Sequence, residues 1–292
     1  MIDLHCHTVH SDGSDTVKEI LTKANQINLS HFSITDHNSV DAYFQSDENE
    51  MNSIFKGKLI PGIEITTTYR GEIIEVLGYG IDVNQMKSKL PEYVLSFEQK
   101  QLKEFELIKQ EYSKRNVIFD EKQILFDPKK TSCRKSFYNE IIKYPENIAK
   151  LFHPTSIETS SKFTRQEVYN PSSEFYVDES SLYPSLKEVT HLIHFCGGIA
   201  ILAHLYLYAN CDEIENHLLK IVGDYQLDGV ECYYSTFSKE QSLYLEKFCI
   251  DHHLIRSGGS DYHGTRKPSI ELGVGTGSLK IPSDLFDLWP TM

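Results

Sequence analysis

The sequence lacks several features that would assign it to other classes of protein. It contains no run of eighteen apolar residues, so no segment is predicted to cross a membrane. Its first residues do not form a signal peptide, because Asp3, His5 and His7 interrupt any apolar core there. Its six cysteines are scattered, and no two of them form a C-x-x-C pair. We therefore expect a cytoplasmic protein with buried, reduced thiols.

Positive charge is also scarce. The chain has 29 Lys and Arg against 42 Asp and Glu, which gives a formal net charge of −13. A protein that binds duplex nucleic acid normally has a basic face, so this charge argues against a duplex as a partner. A pocket that holds cations can still accept a phosphate ester, because bound ions reverse the local sign of the charge. A small phosphorylated substrate is therefore compatible with the composition.

Strand and helix signals alternate near the start of the chain. "MIDLHCHT" alternates apolar and polar residues, which predicts a strand, and apolar residues at helical spacing predict a helix over 15–28. "HFSITDH" predicts a second strand, and a second helix is predicted over 40–55. "KLIPGIEITT" and "GEIIEVLGYGID" predict a third and a fourth strand. This order favours an α/β fold with parallel strands joined by crossover helices.

The alternation stops near residue 84. A long helix is predicted over 91–115 from a stripe of apolar residues, and shorter helical pieces follow it. The α/β pattern resumes with "PSLKEVTHLIHFCGGIAILAHL", "LDGVECYY" and "LIRSGGSDYHG". The predicted organisation is an α/β first part over 1–84, an inserted, mainly α-helical subdomain over 85–185, and an α/β second part over 186–292.

Imidazole and carboxylate groups lie at or near the predicted strands. They are His5 and His7 on the first strand, Asp12 in the loop after it, Asp36 and His37 after the second strand, Glu64 on the third, His204 after "GIAILAHL", and Asp261 and His263 after the last strand. Parallel strands with crossover helices bring their carboxyl ends to one face. Histidines two residues apart on a strand point the same way. A donor set without thiolate suits Mn, Zn or Fe, so we predict a metal cluster. Asp36 is predicted either as a ligand or as the acceptor of a histidine N–H.

"DLHCHTVHSDGSD", "SITDHNSV", "PGIEIT", "LGYGID", "ILAHL" and "SGGSDYHG" together resemble the PHP (polymerase and histidinol phosphatase) family. The resemblance implies a distorted, TIM-like (β/α)7 barrel that binds two or three divalent ions and hydrolyses phosphoesters. The metal ligands that it implies are His5, His7, Asp12, His37, Glu64, His204, Asp261 and His263. The helical insertion resembles the short bacterial branch of the family that acts on nucleoside phosphates and on the ends of short RNA.

The chain departs from that branch at two positions. The branch often has a histidine three residues before the Gly-Tyr of the fourth strand, where this chain has Glu75. It also commonly carries an R-x-H element, and the nearest match, "CRKSF", offers Arg134 but has Ser136 in place of the histidine. A ninth ligand is therefore missing or supplied elsewhere, with Glu75 and His153 as candidates.

Two arginines of the insertion are candidates for binding the substrate phosphate. Arg134 and Arg165 lie in a segment that we expect to cover the barrel rim, and a guanidinium matches the geometry of phosphate oxygens. The alternative for both residues is an ordinary surface charge. Glu231 on "DGVECYY" is predicted to point to the same rim or into the barrel, and its role is left open.

The resemblance and the ligand pattern together predict a metal-dependent phosphoesterase. In this prediction a metal-bridging hydroxide attacks a small phosphomonoester, which is a nucleotide or the phosphorylated end of a short single-stranded oligonucleotide. Histidinol-phosphate phosphatase is the alternative among enzymes. A non-catalytic, metal-binding PHP module is the alternative from another class. The sequence predicts neither a membrane partner nor a particular oligomeric state.

Overall fold

The computed structural model describes residues 1–45 and 48–290 of the chain. Two compact units are present. The first comprises Met1–Tyr93 and Pro184–Met292, and the second comprises Val94–Tyr183. Within the described residues, no helix is both long enough and apolar enough to cross a membrane.

The strands of the described residues lie in the first unit and form two sheets. They are β1 (Ile2–Asp3), β2 (His31–Phe32), β3 (Lys58–Leu59), β4 (Gly62–Tyr69), β5 (Glu72–Tyr79), β6 (Ile199–Leu202), β7 (Gly229–Tyr234) and β8 (Ile255–Gly259). One sheet has the order β1-β2-β3, with all pairs parallel. The other has the order β4-β5-β6-β7-β8, in which β5 is antiparallel to both neighbours and the remaining pairs are parallel.

Helices connect the strands and supply most of the regular structure of the second unit. The α-helices are α1 (Val17–Gln26), α2 (Glu48–Ile54), α3 (Val83–Lys89), α4 (Phe97–Lys114), α5 (Cys133–Ile141), α6 (Pro145–Lys150), α7 (Ser160–Phe163), α8 (Leu186–Phe195), α9 (Cys211–Asn216), α10 (Leu218–Tyr225) and α11 (Lys239–Asp251). Helix α3 packs on α8 and belongs to the first unit, whereas the sequence predicts the insertion to begin at residue 85.

The prediction of parallel strands is wrong for β5. Only Arg70 and Gly71 separate β4 from β5, and both have positive φ, at 50° and 84°. A two-residue turn of this kind produces an antiparallel hairpin, because a parallel connection needs a dozen or more residues. Its register places Glu64 opposite Leu77 and Thr66 opposite Glu75, which brings Glu75 alongside β6.

The stretch "KLIPGIEITT" also differs from the prediction of a single strand. It forms β3 and then β4, which belong to different sheets. Pro61 lies between the two strands and has no N–H to donate to a continuous ladder. Glu64 consequently lies near the start of β4, and it forms an isolated parallel bridge with His37.

Isolated bridges connect the two sheets of the first unit on both sides. Cys6, just after β1, pairs with Tyr262 after β8, and His37, after β2, pairs with Glu64 on β4. The chain after β1 therefore lies against the chain after β8, where most of the predicted ligands are found. Closure of these strands into a (β/α)7 barrel stays a prediction.

Three helices of the first unit begin with the same local signal. In each, a Ser or Thr side chain accepts a hydrogen bond from the backbone N–H three residues later, and the Glu or Gln at that position bonds back. The pairs are Thr16–Glu19 in α1, Ser185–Glu188 in α8 and Ser238–Gln241 in α11. Helix α1 then buries Ile20, Leu21 and Ala24 in a core that includes Phe32 of β2.

The second unit has its own apolar core. Ile108 and Tyr112 of α4 are buried there together with Phe137 of α5 and Phe163 of α7. Helix α4 begins later than predicted, because Leu90–Glu92 forms a separate 3-10 turn and Ser96 caps the helix at Phe97. The prediction of an apolar stripe fails at Leu102, whose surface is 47% exposed.

Candidate metal centre

Nine imidazole and carboxylate side chains of the first unit come together. Among the described residues, they form four overlapping groups in which the ligand atoms all lie within 4.8 Å of one another. The groups are His7, Asp12, His37 and His263; His5, His7 and Asp261; His5, Glu64 and His204; and His37, Glu64 and Glu75. Each of the eight residues predicted as ligands belongs to at least one group. Glu75 is the ninth member.

The backbone after β1 and the backbone after β8 are joined, which positions several of these side chains. The His7 N–H donates to the Tyr262 carbonyl at 2.9 Å, and the Asp261 N–H donates to the His5 carbonyl at 2.8 Å. A Cβ on Gly259 would lie 2.3 Å from the His5 backbone nitrogen, so only glycine permits this approach. Asp261 itself has a φ of 56°, a left-handed conformation that is uncommon for non-glycine residues.

Glu64 lies at the centre of the site. Its Oε2 is 3.2 Å from the Nε2 atoms of both His5 and His7, and 3.1 Å from Nδ1 of His37. Its Oε1 is 2.9 Å from Nε2 of His204. One buried carboxylate thus faces four imidazoles, which is an arrangement suited to bridging two cations.

Several atoms in this site have no hydrogen-bond partner among the described residues, although they are buried. They are Nε2 of His5, His7 and His263, Nδ1 of His37 and His204, and Oε2 of Glu64. A buried polar atom without a partner costs free energy, about 1–3 kcal/mol each. A cation among these atoms would satisfy them, so the residues present fit a metal ion.

Protonated imidazoles balance the carboxylates when no ion is bound. Burial disfavours the charged form of His204, but its hydrogen bonds to Glu64 and Glu75 outweigh this effect and raise its pKa to about 10. For His37, burial also acts to lower the pKa, but the negative charges of Glu64 and Glu75 raise it to about 9. A metal ion would replace these protons, because a ligating imidazole must be neutral.

Glu231 orients two of the imidazole-bearing residues. His5 Nδ1 donates to Oε1 of Glu231 at 2.9 Å, and the backbone N–H of His204 donates to Oε2 at 2.8 Å. This fixes the His5 ring with Nε2 directed at Glu64 and Asp261. Glu231 is fully buried on β7, and its contacts with His5 and His204 give it the role that the sequence left open.

Asp36 contacts the loop that follows β1. Its carboxylate accepts hydrogen bonds from the Thr8 N–H at 2.7 Å, the Thr8 hydroxyl at 2.6 Å and the Ser11 hydroxyl at 2.5 Å. It belongs to none of the four groups, and no histidine of the described chain donates to it. Asp36 therefore holds the loop that carries Asp12.

Arg134, Ser136, His153 and Arg165 lie in the second unit. Ser136 is buried and its hydroxyl donates to the Leu125 carbonyl at 2.9 Å, while His153 hydrogen-bonds to a neighbouring threonine hydroxyl. Arg165 is exposed on the helical turn Thr164–Val168. The phosphate-binding role of the two arginines stays a prediction.

Arg134 is held by two buried glutamates of the second unit. Its Nε donates to Glu104, its guanidinium lies 3.5 Å from Glu179, and its plane lies over the Tyr169 ring at 4.4 Å. Burial, together with the negative charge of Glu104, raises the pKa of Glu179 to about 8, although the charge of Arg134 acts to lower it. The raised pKa favours the protonated form of Glu179 at neutral pH.

This cluster predicts a pH-dependent stability. The Glu179 carboxyl has a higher pKa in the folded state than in the unfolded state, where its pKa is near 4.5. Its contribution to the stability of the folded state is therefore complete below that pH and is lost as the pH rises through about 8. We expect a loss of up to about 1.4 kcal/mol per pH unit in that window. Glu179→Gln should abolish most of this loss of unfolding free energy, as measured by guanidinium denaturation monitored by circular dichroism. The exposed Glu106→Gln should retain the wild-type slope; an equal slope in Glu179→Gln would refute the prediction.

A cavity of about 260 Å³ opens beside the nine side chains. Its lining residues are His37, Glu64, Ile73, Glu75, His204, Leu207, Tyr208, Asp261 and Lys267. Lys267 was not predicted from the sequence; the only available signal is its place four residues after His263. Its Nζ lies 2.6 Å from Oδ2 of Asp261.

The chain is similar to several known proteins. A 5'-3' exoribonuclease Rnm of Salmonella typhimurium is 24% identical, covering 99% of this chain and 92% of that protein. A 5'-3' exoribonuclease of Haemophilus influenzae is 25% identical, covering 89% of each chain. A Bifidobacterium adolescentis protein, named as a candidate metal-dependent phosphoesterase, has a similar fold, with a TM-score of 0.62 at 22% identity, covering 98% of this chain and 94% of that one. The model of the PHP domain family matches residues 3–248, and the chain belongs to that family.

Proposed function

We propose that this protein is a metal-dependent phosphoesterase that acts on the phosphorylated end of a short single-stranded oligonucleotide. One observation carries the proposal: nine imidazole and carboxylate side chains converge beside a cavity of about 260 Å³. Relatives that act as 5'-3' exoribonucleases and align over most of their length support RNA as the substrate. A phosphorylated 5' end of RNA is therefore our first choice, and a nucleotide or another small phosphomonoester is the alternative.

The cofactors that we propose are two or three divalent ions of Mn, Zn or Fe. All four groups consist of His, Asp and Glu, which are the ligands these metals accept. The eight residues implied by the family resemblance would hold them, together with Glu75 in the place of the histidine of the bacterial branch. When bound, such ions supply an activated water at neutral pH and neutralise charge on the phosphate.

Residues around the ligands hold them in fixed orientations. Glu231 holds the His5 ring, and Tyr234 donates to Oδ2 of Asp261 at 2.6 Å, so that Oδ1 of Asp261 faces His5 and His7. Asp36 holds the loop that carries Asp12. The ligand atoms are thereby positioned before any ion binds, which reduces the reorganisation that binding requires.

The size and walls of the cavity support a chain end as the substrate. Pockets for small ligands commonly have volumes of about 300–1,000 Å³. This cavity, at about 260 Å³, is slightly smaller, so it has room for a phosphate and its adjoining sugar but not for a duplex. Ile73 and Leu207 are partly exposed at its wall and offer apolar surface to a nucleoside. The net charge of −13 likewise disfavours an extended polyanion.

The proposal is tested by supplying the Mn²⁺-loaded protein with matched substrates. These are a short RNA with a 5'-phosphate, the same RNA with a 5'-hydroxyl, its duplex, AMP and histidinol phosphate. We expect the 5'-phosphorylated single strand to be converted to mononucleotides fastest and the duplex to resist. Release of inorganic phosphate from the monoesters alone would replace the proposal with a monoesterase. Metal binding without turnover of any substrate would favour a non-catalytic module.

A further inference from the structure

Lys267 is the one Lys or Arg among the nine described residues that line the cavity. It follows the 3-10 turn Gly264–Arg266 after β8, and its side chain is 40% exposed. Its Nζ lies 2.6 Å from Oδ2 of Asp261. The ammonium group therefore stands at the wall of the cavity, directly beside a candidate metal ligand.

Asp261 does not need Lys267 to satisfy its carboxylate. Oδ2 already accepts a hydrogen bond from the Tyr234 hydroxyl at 2.6 Å, and this tyrosine is 5% exposed. The opposite oxygen, Oδ1, faces the imidazoles of His5 and His7 at 3.6 and 3.2 Å. Asp261 thus keeps other partners on both of its oxygens, and the Lys267 side chain is 40% exposed, so its ammonium can also contact another anion.

The negative charge of the cavity means that binding a phosphate requires a positive group in addition to the proposed metal ions. Three carboxylates, those of Glu64, Glu75 and Asp261, line it, and ions bound there would be largely neutralised by them. A phosphate group brings further negative charge. An ammonium on a flexible four-carbon stem binds phosphate oxygens as a compact point charge, and the partial exposure of Lys267 lets it reach them from its place beside Asp261.

We propose that Lys267 binds a non-bridging oxygen of the substrate phosphate that undergoes hydrolysis. The inference rests on the proposed function, because it names a substrate-binding residue of the same site. Its place beside Asp261 puts the ammonium next to the ion-binding groups, where the reacting phosphate must lie.

Inorganic phosphate is the probe that tests this role. Its binding to the Mn²⁺-loaded full-length protein is measured by titration calorimetry for the wild type, Lys267→Met and Lys267→Arg. Loss of one charge-assisted hydrogen bond weakens binding by about ten- to a hundredfold, which we expect for Lys267→Met. Lys267→Arg should restore most of the affinity. Lys247→Met removes an exposed lysine that also pairs with an aspartate, and should bind phosphate as the wild type does.

The affinity for Mn²⁺ separates phosphate binding from positioning of Asp261. We expect Lys267→Met to bind Mn²⁺ within about twofold of the wild type. A loss of Mn²⁺ affinity as large as the loss of phosphate affinity would overturn the proposal, because Lys267 would then act through Asp261. If Lys267→Met binds phosphate as tightly as the wild type does, the proposed role of Lys267 is also overturned, even where the wild type hydrolyses phosphoesters. Failure of the proposed function is a separate result, namely no hydrolysis by the Mn²⁺-loaded wild type.

Discussion

His5→Ala and Asp261→Ala are each expected to reduce phosphoester turnover by about a thousandfold or more. His5 belongs to two of the four groups, and its Nε2 lies 3.2 Å from the central carboxylate of Glu64. Asp261 is the carboxylate of the group that joins His5 and His7. Loss of either residue would disrupt the proposed metal site. A bound metal ion supplies several kcal/mol of transition-state stabilisation, and about 4 kcal/mol corresponds to a thousandfold in rate.

Initial rates on the best substrate of the panel and metal content by mass spectrometry check this prediction. His252→Ala is a matched control, because His252 lies at the end of α11 and contacts Phe248 rather than the metal centre. It should retain wild-type turnover and wild-type metal content. Near-wild-type turnover in either His5→Ala or Asp261→Ala would remove that residue from the site.

The convergence of the predicted ligands could be anticipated because its signals are local. His5 and His7 alternate with Leu4 and Cys6, a pattern that predicts both imidazoles on one side of a strand. In the structure both residues follow β1, which ends at Asp3, and both imidazoles face Glu64. Glu64 lies on β4, the other predicted ligands lie in segments that follow β1, β2, β6 and β8, and the structure brings them within reach of one another. That these residues bind metal ions stays a prediction, which the His5→Ala and Asp261→Ala substitutions test.

Strand direction could not be obtained from the same signals. An alternating pattern has the same form in parallel and antiparallel strands, so "GEIIEVLGYGID" indicates a strand without a direction. The direction of β5 depends on Arg70 and Gly71, which form the two-residue turn. The pattern also failed to separate β3 from β4, because apolar residues continue across Pro61 and only the pairing partners differ.

Residues that act through distant partners were the hardest to predict. Glu231 meets His5 across 226 positions of sequence, and no spacing rule connects them. Lys267 is an ordinary charged residue until the fold places it in the wall of the cavity, and Glu75 was a candidate only through the family resemblance. Asp36 was predicted from its place after the second strand, and its hydrogen bonds go to Thr8 and Ser11. Charge and composition do not specify such pairings.

Removal of divalent metal is expected to abolish turnover, and Mn²⁺ is expected to restore it. The site contains five imidazoles, and six of its buried nitrogen and oxygen atoms have no hydrogen-bond partner among the described residues. Imidazole-rich sites favour Mn, Fe or Zn, whereas Mg²⁺ prefers oxygen ligands and retains its waters. Activity should therefore be lost after EDTA treatment and return with Mn²⁺ but not with Mg²⁺ alone.

Thermal unfolding supplies a readout of the same metal site that is independent of turnover. A ligand that binds only the folded state, at a hundred times its Kd, stabilises that state by about 2.7 kcal/mol. Mn²⁺ should therefore raise the Tm of the EDTA-treated wild type, and His5→Ala should show a smaller increase, because it lacks a donor of two groups. His252→Ala should match the wild type. Restoration of turnover by Mg²⁺ alone, with no rise in Tm on adding Mn²⁺, would contradict a histidine-rich metal centre, since the imidazoles would then contribute no binding energy.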